Sequence, residues 1–218
     1  MPKTTTEPAP EPSRREQRRQ QHQALSRLQL LDAAEDVFGR KGFYDTTLKE
    51  IAELAEFSVG SVYSFFDSKD DLFRQIFTRR GEEFMPRLRE LVGSRRTPTE
   101  QLHDLVDFEI GFFREHFRFG RLFLQFSSAI QPSTDRMFDA RMTANYHETM
   151  ALQADLFERG QRAGEIVSGD AWVLSRLFSG LISSFQALDP RVMSDDPHQP
   201  ERMTVEELHV LVGRTFSR

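Results

Sequence analysis

Cysteine is absent from the 218 residues, and tryptophan occurs once and tyrosine three times. Without cysteine there is no disulfide framework, no thiolate zinc site and no cysteine nucleophile. The six histidines are scattered without metal-ligand spacing, so neither a metal nor a cofactor is expected. A run of about 18 apolar residues is also lacking, and Met1 to Glu16 is polar and proline-rich rather than a basic head followed by an apolar stretch. Those absences argue against a membrane partner and a signal peptide, and a cytoplasmic location is expected. No glycine-rich phosphate loop and no β alternation appear, which leaves an all-α fold.

Lysine is scarce as well, and all four lysines fall within residues 1–80. That segment carries 13 basic and 13 acidic residues; subtracted from the chain totals of 29 and 34, they leave 16 basic and 21 acidic residues beyond it. The net charge of -5 therefore resides in the C-terminal part. A neutral N-terminal module can still turn a basic face to a polyanion if its acids lie elsewhere. With 38% hydrophobic residues and 20 phenylalanines, the chain can build the core of one or two domains.

Residues 1–13 hold four prolines and almost no large apolar side chain, so a disordered tail is expected. Arg14, Arg15, Arg18 and Arg19 follow as a basic arm, giving a first segment of 1–22. Apolar residues spaced by three and four, Leu25 through Phe38, predict a helix ending near Gly42. Thr47 and Glu50 form a capping box for a short helix from Leu48, and Ser58 caps a second, Val59 to Phe66. Ser68 caps a long helix, with Asp70 and Asp71 at its positive end and a kink expected at Pro86. Further helices are expected over Thr99–Phe117, Gly120–Ile130, Ser133–Arg162, Asp170–Leu188 and Thr204–Ser217, with Asp189–Pro200 a loop.

Two short helices joined by a tight turn and held by a helix on each side form a helix-turn-helix, whose second helix can enter a DNA major groove. The string Thr46-Thr47-Leu48-Lys49-Glu50-Ile51-Ala52, then Ser58-Val59-Gly60-Ser61-Val62-Tyr63-Ser64-Phe65-Phe66-Asp67-Ser68-Lys69-Asp70-Asp71-Leu72, sharpens this. Together with Leu31-Asp32-Ala33-Ala34, Phe38 and Gly42-Phe43-Tyr44, it resembles the signature of the tetracycline-repressor (TetR) family over about residues 25–78. One departure is Glu56, where the family usually has glycine. A non-glycine residue at positive φ costs about 1 kcal/mol, or the turn takes another geometry.

The resemblance implies a helix-turn-helix domain over 23–68 and a larger helical ligand-binding and dimerisation domain over 69–218. It also implies a regulator, most often a repressor, that leaves a palindromic double-stranded operator when a small effector binds. From their size and chemistry, Val59, Gly60, Ser61 and Ser64 suit close approach to base edges, with Val59 able to meet a thymine methyl. The resemblance adds Thr47, Tyr63 and Lys69 as phosphate contacts, the last also at a helix N-terminus. Val62, Phe65 and Phe66 are most simply core.

Phe108, Phe112, Phe113, Phe119, Phe123 and Phe126 crowd two successive helices, with Glu109 and His116 set among them and Asn145 among apolar residues of the next. A carboxylate in an apolar stripe is expensive unless paired or facing a cavity. Phe84, Leu88, Phe108, Glu109, Phe112, Phe113, His116, Phe123, Met142 and Asn145 are accordingly the expected ligand residues, against an ordinary core with internal hydrogen bonds. Leu174, Phe178, Leu181, Ile182, Phe185, Leu208, Leu211 and Val212 form broad apolar stripes that the resemblance assigns to a homodimer interface, against intramolecular packing. Two other classes stay open: an enzyme built on Glu109, His116 and Asn145, which lacks any nucleophile motif, and a helical ligand-binding protein without DNA function.

Overall fold

A computed structural model describes residues 13–127, 137–196 and 198–218. Among these, ten α-helices follow one another: α1 Arg14–Lys41, α2 Leu48–Leu54, α3 Val59–Phe65, α4 Lys69–Val92, α5 Pro98–Glu115, α6 Phe117–Ser127, α7 Ala140–Ala163, α8 Ala171–Leu188, α9 Pro190–Met193 and α10 Val205–Phe216. The all-α expectation holds. Helix starts are set by side chains that satisfy orphan backbone donors. Capping boxes stand at Ser13/Glu16, Thr47/Glu50, Thr97/Glu100 and Thr204/Glu207, and single caps at Ser58, Ser68, Asp139 and Asp170.

Several boundaries differ from the sequence reading. The basic arm is helical from Arg14, because Ser13 and Glu16 close a capping box at the very point where the arm was expected to be irregular. Residues 14–22 are thus the first turns of α1, and the 22/23 division falls inside a helix. The expected loop after α8 contains α9, started by Asp189 accepting from Arg191 N–H with Pro190 at its first position. α7 begins at Ala140, with the Asp139 carboxylate capping it by accepting from Met142 N–H at 2.8 Å, so residues 137–139 of the expected Ser133–Arg162 helix are not helical. Ser133 and Ile130, like residues 1–12, lie outside the described residues. Pro86 does not divide α4, although it leaves the Glu82 carbonyl without its helical donor.

Two apolar cores result. The first joins α1, α2, α3 and the start of α4 to α5 and α6, through Leu31, Phe38, Ile51, Val62, Phe73, Phe112 and Phe126. The second joins the far end of α4 to α5, α7, α8 and α10 through Leu88, Leu105, Phe157, Phe178 and Phe216. Each fully buried phenylalanine contributes roughly 2–3 kcal/mol of transfer free energy, so the first core ties the helix-turn-helix firmly to the helices behind it. Gly39 of α1 makes close approach possible: a Cβ there would stand 2.6 Å from the Arg118 carbonyl of α6.

Candidate functional site

The helix-turn-helix is assembled from local bonds. Thr47 Oγ1 accepts from Glu50 N–H, and the Glu50 carboxylate returns to Thr47 N–H at 2.9 Å and also receives the Lys41 ammonium. Those bonds, that of Lys41 first, hold the Glu50 carboxyl down at about 2. The turn closes at Glu56, whose φ of 61° makes it the non-glycine residue with left-handed backbone among the described residues. Of the two alternatives, strain at an unchanged turn is therefore the one adopted, with Phe57 N–H donating to Ala52 O at 2.8 Å.

Val62 and Phe66 of the α3 region are buried, as their spacing suggests, and Phe65 packs at the core edge. The opposite face is open: Tyr63 is 57% exposed and Val59 37% exposed, and Gly60 and Ser64 are also exposed. Ser61 is half-buried and its hydroxyl lies 2.8 Å from that of Ser58. Thr47 is exposed on the same module. Lys69 stands differently. Its ammonium donates to the carbonyls of Phe43 and Thr46 at 2.9 Å each and Tyr44 at 3.4 Å, and lies 4.4 Å from the Phe43 ring centre. All three of its protons have acceptors on the α1–α2 loop.

Behind this module lies a cavity of about 180 Å³ walled by five helices. α4 supplies Phe77, Arg80, Gly81, Phe84 and Met85; α5 supplies Glu109, Phe112 and Phe113; α6 supplies Phe119, Phe123 and Phe126. Met142, Asn145, Tyr146, Thr149, Met150 and Gln153 come from α7, Ser179, Ser183 and Gln186 from α8, and Phe138 precedes α7. Seven of the ten expected ligand residues are therefore brought together. Leu88, Phe108 and His116 are not. Leu88 is buried in the second core one turn further along α4. The Phe108 ring centre lies 4.8 Å from that of Phe84 and 5.1 Å from the Arg87 guanidinium carbon. His116 fails because α5 ends at Glu115, so the helical wheel no longer describes it. Its Nε2 instead meets Glu83 at 3.2 Å, and burial, reinforced by Arg80, lowers its pKa.

Glu109 is the unusual wall residue. Only 7% exposed, it accepts from Gln153 Nε2 at 3.0 Å. Burial pushes its carboxyl up to about 8, with the Gln153 bond pulling the other way, so it is mostly protonated at neutral pH. Gln153 in turn accepts from Ser175 and Ser179 at 3.1 and 2.9 Å. Arg80 is paired with Glu35 of α1 and with Glu83, and Arg79 also reaches Glu35. Gln186 lines the cavity with a buried Nε2 that has no partner among the described residues. Arg80, Gln153 and Gln186 were not legible beforehand, because each sits on a helix face that reads as ordinary amphipathic surface.

The eight expected interface residues divide by helix phase. Phe178, Ile182, Phe185, Leu208 and Val212 are buried in the second core of their own chain, and Leu174 and Leu181 are half-buried. Leu211 is exposed, and with it Val173, Leu177, Leu188 and Val210 form the apolar face left uncovered on α8 and α10.

These features define a class: an all-α protein whose helix-turn-helix shares a core with a cavity-bearing helical domain. Residues 30–76 match the model of the bacterial regulatory proteins, tetR family, so this segment is similar to the N-terminal domain of that family. Over 68 residues it is 38% identical to the uncharacterized HTH-type transcriptional regulator YfiR of Bacillus subtilis, a match covering 31% of this chain and 33% of that one. The matched segments span 33–39% of the length of YfiR, of the fatty acid metabolism regulator protein of Bacillus subtilis and of KstR2 of Rhodococcus jostii. The whole fold resembles that of the ketosteroid transcriptional regulator KstR2 of Mycobacterium tuberculosis (TM-score 0.71, 19% identity, 88% of this chain and 95% of that one). It also resembles AibR in complex with isovaleryl coenzyme A and operator DNA (TM-score 0.72, 18% identity, 88% and 98%).

Proposed function

We propose that the protein is a homodimeric, ligand-responsive transcriptional regulator that binds a palindromic operator and leaves it when a small apolar molecule enters the cavity. The observation that carries this reading is the open α3 face, with Val59, Gly60, Ser61, Tyr63 and Ser64 turned outward while Val62 and Phe66 anchor the helix from behind. Small side chains there allow α3 to approach base edges, and the exposed Tyr63 has a hydroxyl to offer a phosphate oxygen, whereas the Thr47 hydroxyl already donates to Glu50 at 3.0 Å. Lys69 contributes by fixing the α1–α2 loop, and Arg14, Arg15, Arg18 and Arg19 on the exposed start of α1 supply the charge that attracts DNA. AibR, whose fold this chain shares, was crystallised in complex with isovaleryl coenzyme A and operator DNA, so a chain of this fold can hold both a small molecule and DNA.

Dimerisation is proposed through the uncovered face of α8 and α10, Val173, Leu177, Leu188, Val210 and Leu211, rather than through the buried residues of the same helices. The cavity can act on DNA binding because its walls touch α1 and the loop that follows it. Arg80 pairs with Glu35, Phe126 lies 6.4 Å from Phe43, and α6 lies against Gly39. A ligand that favours one spacing of α6 and α4 would shift α1, and with it α3. Selection from random duplex DNA tests the reading: a palindromic consensus is expected, and a pool no different from the input would refute it.

A further inference from the structure

Resting on the reading above, we propose that the cavity selects an uncharged, largely apolar molecule bearing a carbonyl-type oxygen, which accepts hydrogen bonds from Gln186 Nε2 and from Glu109. Two independent features point there. Gln186 is one of the residues lining the cavity, and its Nε2, closed to water as it stands, has no acceptor among the described residues, so a small turn of the amide toward a guest oxygen would satisfy it. Glu109, fully enclosed and held by a single donor from Gln153, is kept in its protonated form, so it too has an O–H to give.

The remaining walls exclude charged guests. An anion would find no free cation, because the Arg80 guanidinium is already bonded to both Glu35 and Glu83. A cation would face Arg80 as a like charge and would require Glu109 to ionise inside a phenylalanine-lined space. The titratable and charged groups that share the cavity with Glu109 are few: Arg80 from α4 and Tyr146 from α7, with none among the cavity residues of α6 and α8. Glu83 and His116 stand behind Arg80, and the Tyr146 hydroxyl is engaged by Arg176. At about 180 Å³ the cavity is smaller than the roughly 300–1,000 Å³ typical of drug-sized sites, so the guest is small.

The test uses the purified full chain, without DNA, and three probes of similar shape: acetophenone, cumene and 1-phenylethylamine, titrated calorimetrically at about pH 6 and about pH 9. Acetophenone should bind about tenfold more tightly than cumene at the lower pH, and it should weaken about tenfold at the higher, one unit above the Glu109 titration near 8. Gln186→Leu should remove about tenfold from acetophenone while leaving cumene unchanged, which also reports an intact cavity. Glu109→Gln, which keeps a donor, should bind acetophenone without the pH dependence. Tightest binding by the amine with affinity rising with pH, equal binding of acetophenone and cumene, or no binding of any probe would overturn the proposal. Because no DNA is present, a chain that binds acetophenone but no operator would sink the regulator reading alone. Operator binding without discrimination among the probes would sink this inference alone.

Discussion

Glu56 and Glu109 each break a local rule, and both are informative. At Glu56 the backbone is left-handed, at φ 61°, where an L side chain costs about 1 kcal/mol that glycine avoids. Glu56→Gly should therefore raise stability by about 1 kcal/mol, read as a higher denaturant midpoint at unchanged slope; a lower midpoint would mean the side chain contributes something the turn needs. Glu109 makes stability depend on pH. Its carboxyl titrates near 8 when folded and near 4.5 when unfolded, so the folded state holds one more proton between these values. Stability is fully present below about 4.5 and falls by up to about 1.4 kcal/mol per unit until about 8. Glu109→Gln should flatten that slope between pH 5 and 8 in urea melts. The polar insertion was readable from the sequence as a carboxylate in an apolar stripe, but its donor Gln153, 44 residues away on α7, was not.

Among the elements, α2 and α3 were legible almost to the residue, because Thr47, Glu50 and Ser58 announce their own helix starts. The phase of α8 was not. Its apolar residues run nearly all the way round, so periodicity could not separate the face that packs inward at Phe178 and Ile182 from the one left open at Leu177. A pair of adjacent substitutions resolves it. Leu177→Glu should give a folded monomer by light scattering and circular dichroism, whereas Phe178→Glu should unfold the chain, since it buries a charge with no partner. A folded dimer in the Leu177→Glu variant would place the interface elsewhere. Lys69 joins α4 to the loop before α2, and Lys69→Met should cost roughly 1–3 kcal/mol of stability by orphaning three carbonyls. It should also weaken operator and random DNA alike, while the slope of log affinity against log salt falls by less than the ~0.9 of one lost phosphate contact. Unchanged stability would contradict the staple.

For the whole molecule, the proposed division into a DNA-reading part and a sensing part is less sharp than the motif suggested. The first core runs from Ile51 of α2 to Phe113 of α5, and Arg79 and Arg80 of α4 clasp Glu35 of α1 within 2.5–2.8 Å. These long-range pairings carry no sequence signal, yet they make the cavity a neighbour of the DNA-reading helices instead of a distant site. α4 links them through Arg79 and Arg80, and the contact of α6 with Gly39 supplies a second route. Two copies joined through the open face of α8 and α10 would present two α3 helices to one duplex, the symmetry that a palindrome mirrors. The most direct measurement is the mass of the complex formed on a palindrome recovered by selection, compared with a scrambled duplex of the same length at the same salt. The account predicts two chains, or a whole multiple of two, per palindromic duplex and at least about a thousandfold weaker binding to the scrambled one. A single chain per duplex, or equal affinity for both sequences, would contradict it.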